Sequence, residues 1–167
     1  MAILQKLKEH FSRDSVTLDL QDIQALILRS RPEPYVGVHA MLHFDEAAGA
    51  RNLLGRLAPH IASADNWSED LDFWIGAALS FEGLKALGVP DAQLKTFPLP
   101  FQQGMAARAE QLRDFGPNAP ENWEDVFKPG NCHLALTIYA VDDDALDKAL
   151  ATARNLRVSL GRKFNAG

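Results

Sequence analysis

The sequence predicts an α+β domain: two strand–helix–strand units sharing a four-stranded antiparallel sheet, helices on one face, and a long helical insertion between strands two and three. Three observations carry this. Residues 35–44 and 131–141 alternate between apolar and mixed positions, the period of two of a sheet with unlike faces. Each is followed by acidic residues and an amphipathic helical run. Between the units lies a Pro- and Gly-rich stretch, residues 91–128, too long for an ordinary loop and so expected to pack on its own.

The elements follow in order. In residues 1–15, Ile3, Leu4, Leu7 and Phe11 share one helical face, with Lys6, Lys8, Glu9 and Arg13 opposite or flanking. We read this as a docking helix, with a membrane-surface helix as the lesser alternative; it is too polar for a secretory core. Residues 15–28 fit either a short helix or an extended piece. Arg31-Pro32-Glu33-Pro34 then interrupts the chain, because each proline drives its predecessor out of the helical region.

In the first strand, Val38, Ala40, Leu42 and Phe44 face one way and Gly37, His39, Met41 and His43 the other. Asp45 is placed to cap the next helix, with Glu46 in its first turn. Ala50, Leu53, Leu54 and Leu57 form its buried stripe and Pro59 closes it. A polar loop leads to a second strand at 71–79, where Ala77-Ala78 would suit a helix as well. Ser80 caps a short helix, 81–87, stopped by Gly88 and Pro90. The insertion is expected to hold one helix, 101–113.

In the third strand, Cys132, Leu134, Leu136, Ile138 and Ala140 oppose His133, Ala135, Thr137 and Tyr139. Asp142, Asp143 and Asp144 cap and charge a helix with the stripe Ala145, Leu146, Ala149, Leu150 and Ala153, and a fourth strand is placed at 156–160. This order is the split βαβ pattern of the ferredoxin-like fold. The organisation expected is an N-terminal amphipathic extension at 1–16, the domain at 17–161 with its insertion at about 81–130, and a tail at 162–167. The helices would cover Val38, Leu42, Leu136 and Ile138. The other face, with His39, Met41, His43, His133, Thr137 and Tyr139, would stand open as a domain or dimer interface.

Composition narrows the function classes. A chain of 167 residues, 47% hydrophobic and 23% charged, is an ordinary single globular domain. One cysteine, Cys132, excludes a disulfide framework and fits a cytoplasmic location. A net charge of -5 with 17 scattered basic residues argues against nucleic acid. No apolar run reaches the roughly 18 residues of a membrane span.

Few residues suggest chemistry. His39, His43 and His133 are the only cluster that could approach a metal or haem iron, but we read them as polar-tolerant residues at a domain seam. Gly104-Met105 with Arg108 could meet a carboxylate, although edge packing suffices. Cys132 is placed on the apolar side as a small buried hydrophobe. The three aspartates are caps rather than metal ligands. Trp67, Trp74 and Trp123 could carry electrons, but packing accounts for them.

Three stretches together resemble the dye-decolorising haem peroxidases. The first is Leu18-Asp19-Leu20-Gln21-Asp22-Ile23-Gln24, and the second Ser80-Phe81-Glu82-Gly83-Leu84-Lys85-Ala86-Leu87-Gly88. The third runs from Phe97-Pro98 through Phe101-Gln102-Gln103-Gly104-Met105, Arg108 and Leu112-Arg113-Asp114-Phe115-Gly116 to Pro120 and Trp123. The likeness spans about residues 18–160. Ala25 stands where that family commonly has glycine. The resemblance implies the amino-terminal, ferredoxin-like half of a protein that holds haem and uses hydrogen peroxide to oxidise dye-like or phenolic donors. It also implies what is missing: no Asp here is followed by Gly, so the family's Gly-x-x-Asp-Gly stretch has no counterpart. The distal Arg and proximal His belong to the family's other half. No catalytic, cofactor-binding or metal-binding residue is therefore assigned, and the isolated chain is expected to be inactive and haem-free. The expected partner is the missing C-terminal catalytic half or a second copy. The alternative is a stand-alone, non-enzymatic module that self-associates or binds a partner through the open face.

Overall fold

The computed structural model describes residues 18–29, 35–66, 68 and 70–158. The expected N-terminal helix, the proline break, Trp67 and the 162–167 tail lie outside the described residues. Within them the chain forms α1 (Ala25–Leu28), β1 (Val36–Leu42), α2 (Ala47–Leu57) and β2 (Phe73–Leu79). The insertion holds α3 (Phe81–Ala86), α4 (Asp91–Leu94), α5 (Leu99–Gln103) and α6 (Ala109–Leu112), joined by 3-10 turns. Then come β3 (Leu134–Ala140) and α7 (Asp143–Val158).

The architecture is α+β with an antiparallel sheet, ordered β1-β3-β2. Strand β3 pairs with β1 from Val36↔Ala140 to Leu42↔Leu134 and with β2 from Phe73↔Ala140 to Leu79↔Leu134. On one face Leu134, Leu136, Ile138 and Ile75 pack under Ala50, Leu53 and Leu57 of α2 and Ala149 and Ala153 of α7, all buried. Both helical stripes read from the sequence therefore point inward. The strand expected at 71–79 forms over Phe73–Leu79, because Phe73, Trp74 and Ile75 favour extended backbone and pair along β3.

Four expectations are corrected. The described sheet has three strands: residues 156–158 continue α7, since Ala151 to Val158 contains no glycine or proline to stop it; residues 159–160 are outside the description. Glu46, not Asp45, is the N-cap of α2, and it makes no side-chain capping bond. The single helix expected at 101–113 is broken into pieces. Gly104 takes φ 70° and ends α5, and Arg113 takes φ 61° at the end of α6. Finally, the second sheet face is not open throughout. Trp74 shares that face with Tyr139, yet is only 1% exposed, and the Leu26 side chain lies over Gly76 beside it.

Other local signals hold. The Ser80 hydroxyl accepts the Gly83 N–H at 2.9 Å as the α3 cap, and Gly88 takes φ 78° just beyond it. Asp142 Oδ1 accepts the Ala145 N–H at 2.8 Å. Ala25 begins a helical turn without positive φ, so its methyl is accommodated.

Candidate functional site

The second face of the sheet carries the residues singled out by the sequence, and they divide into two groups. Near the Val36 end of β1, Tyr139 lies across Gly37, its register partner; a Cβ built on Gly37 would fall 2.6 Å from the ring. Tyr35 meets Tyr139 edge-on at 5.2 Å and His39 does so at 6.2 Å. His39 Nδ1 is 3.0 Å from the Thr137 hydroxyl. This group is a shallow aromatic surface with His39 exposed at its rim.

At the other end, just beyond the ladder, His43 and His133 meet where β1 turns into α2 and the insertion returns to β3, with Met41 still paired to Ala135 inside the ladder. The two imidazoles stack with centroids 4.1 Å apart and planes 28° from parallel. Phe44 N–H donates to His133 Nδ1 at 2.9 Å, which places that ring's proton on Nε2. His43 Nδ1 lies 3.3 Å from the Asn131 carbonyl and must therefore carry a proton, leaving Nε2 toward Asp45 at 4.0 Å. His133 is 7% exposed, so it is buried and not part of an open surface. Burial and the neighbouring His43 hold its ring below the ordinary histidine range, against the opposite pull of Glu82, the Gly130 carbonyl and Asp45.

Cys132 does not join the core side as the alternation implied. Residues 131–133 precede β3, so the period of two does not govern them, and the thiol rests 3.7 Å from Met41 Sδ. Burial pushes the thiol above its usual value, away from the reactive thiolate. Among the described residues no three His, Cys, Asp or Glu side chains converge to hold a metal ion. In the insertion, Arg108 Nε donates to Gln111 Oε1 at 3.3 Å and Trp123 Nε1 to the Asn118 carbonyl at 2.9 Å, both local contacts.

The family model described as the DyP dimeric alpha+beta barrel domain matches residues 47–165, well over half of the chain. The chain belongs to the DyP family. Solved structures agree with this DyP domain over most of its length. An ancestral D-type dye-decolorizing peroxidase superposes with a TM-score of 0.70 and 25% identity, covering 83% of this chain and 31% of its own. DyP2 from Amycolatopsis sp. gives 0.67 and 23%, covering 83% and 30%. The decolorizing peroxidase from Auricularia auricula-judae gives 0.66 and 22%, covering 86% and 31%. No curated protein sequence matches the chain. The DyP domain thus spans about 31% of the length of the solved peroxidases it resembles. No helix among the described residues is long and apolar enough to cross a membrane.

An axial ligand needs a ring nitrogen lone pair aimed into a space that admits the porphyrin. Of the three histidines His133 fits this least: it is buried and its Nδ1 lone pair accepts the Phe44 N–H. His43 and His39 are exposed, with Nδ1 turned to the Asn131 carbonyl and the Thr137 hydroxyl respectively.

Proposed function

We propose that this DyP domain is the structural half of a haem peroxidase, supplying fold and wall to a protein whose iron is held elsewhere. The observation that carries the reading is the pairing of a family match over residues 47–165 with histidines committed to bonds inside the domain. In the complete protein, haem would react with hydrogen peroxide and then oxidise dye-like or phenolic donors. The proximal His, distal Arg and catalytic Asp would come from a C-terminal half. That half would lie against the part of the sheet face left exposed around His39, Met41, Thr137 and Tyr139, in a cytoplasmic protein. His43 and His133 would border this interface from below.

The test is peroxide-dependent bleaching of an anthraquinone dye by the isolated chain with one equivalent of haemin. The expected rate is that of free haemin. Bleaching well above it, lost when His39, His43 and His133 are replaced by Gln, would overturn the proposal.

A second reading is favoured by the family's description as a dimeric domain. A second copy would then cover the aromatic group on the same face. Sedimentation velocity of the isolated chain separates the two: a stable dimer that Tyr139→Ser disrupts favours the module, and a monomer favours the half-enzyme.

A further inference from the structure

We propose that the stacked His43–His133 pair is an acid-operated latch at the root of the insertion. A proton taken up by the His133 ring frees the Phe44 amide and loosens the junction.

The pair sits where the insertion both leaves and rejoins the sheet. Ser80, its first residue, donates its N–H to the His133 carbonyl at 3.1 Å and its hydroxyl to the Cys132 carbonyl at 2.7 Å. His133 in turn donates its N–H to the Leu42 carbonyl at 2.8 Å. Helix α3 presses so closely that a Cβ on Gly83 would lie 2.0 Å from the His133 oxygen. Backbone contacts thus clamp His133 from α3 and β1, and the Phe44 N–H and the His43 ring hold its side chain.

Charged and polar groups face the pair from every side. From the β1–α2 corner, Asp45 stands 4.0 Å from His43 Nε2, and both groups are about half exposed. From α3, Glu82 acts on His133 but is already engaged by Lys85 at 3.0 Å. From the β3 side come the Asn131 and Gly130 carbonyls and the Cys132 thiol, which burial keeps neutral. The His43 ring lies 4.1 Å from His133. A charge on His133 must enter a buried ring, against both burial and this neighbour. It must also place a proton on Nδ1, opposite the Phe44 N–H that bonds there now. Two donors cannot share that line, so His133 can charge only by giving up Phe44.

The experiment is an NMR titration of the histidine side chains on the intact chain, with hydrogen exchange at the Phe44 amide. The expected result is a His133 step below the ordinary histidine range. The protection factor of Phe44 should fall about tenfold or more at the His133 midpoint. In His43→Gln the His133 midpoint and the Phe44 transition should move upward together. A Phe44 amide unaffected as His133 titrates, or a His133 midpoint unchanged in that variant, would overturn the latch. Should His43→Gln fail to fold, the wild-type titration decides alone: Phe44 following His43 instead of His133 refutes it.

Discussion

Gln24 closes the outer edge of β2 with its side chain: Oε1 accepts the Ala77 N–H and Nε2 donates to the Ala77 carbonyl, each at 2.8 Å. One amide thereby makes both bonds that a residue of a neighbouring strand would make. An open edge is a template for pairing with other chains, and this one is occupied at its centre. The backbone around Gln24 is held in turn: Ala25 N–H donates to the Ala62 carbonyl and Ala64 N–H to the Ile23 carbonyl, each at 2.7 Å. Gln24→Leu should leave both Ala77 groups without partners. The expected loss is about 1–3 kcal/mol in urea unfolding, with increased self-association by light scattering.

Two glycines should respond in opposite directions. At Gly83 an added methyl would collide with the His133 backbone, which α3 and β1 both hold, so Gly83→Ala should cost about 3 kcal/mol or more. At Gly55, inside α2 and exposed, nothing lies within 4 Å of an added Cβ. There Gly55→Ala should stabilise by about 0.5–1 kcal/mol through helix propensity alone. Thermal midpoints of the two variants check both signs.

Ser80→Ala removes the α3 cap and the bond to the Cys132 carbonyl together. The expected cost is about 1–2 kcal/mol by urea unfolding. Ser80→Thr, which keeps the hydroxyl, should recover most of it.

The pH dependence follows from His133. Its folded value lies below the ordinary histidine value of about 6.5, so the unfolded chain binds more protons as the solution is acidified. The stability contributed by the neutral ring is complete above about pH 6.5 and is lost as pH falls toward the folded value. Urea midpoints should therefore drop between pH 7.5 and 5.5, and the drop should shrink in His133→Asn.

The long-range order was legible because β1, β3, α2 and α7 each carry a period that matches their structure, and their stripes meet in one core. What the period could not reach lies just past the ladder. Alternation carried through Cys132 misplaces it, because the strand begins only at Leu134, and His133, stacked on His43 as its side predicts, is buried instead of open. The cover over Trp74 and Gly76 comes from residues far away in sequence, and a lone Gln24 has no pattern to announce its role. In the insertion, Gly104, one of the residues that could meet a carboxylate, ends a helix.

We propose that this domain lends a haem peroxidase its frame and none of its iron ligands. Titrating haemin into the intact chain while following the Soret band tests it most directly, with the triple variant His39→Gln, His43→Gln, His133→Gln beside the wild type. The account predicts no stoichiometric shift, and the same weak, unsaturating response in both proteins. A sharp one-to-one shift in the wild type that disappears in the variant would contradict it.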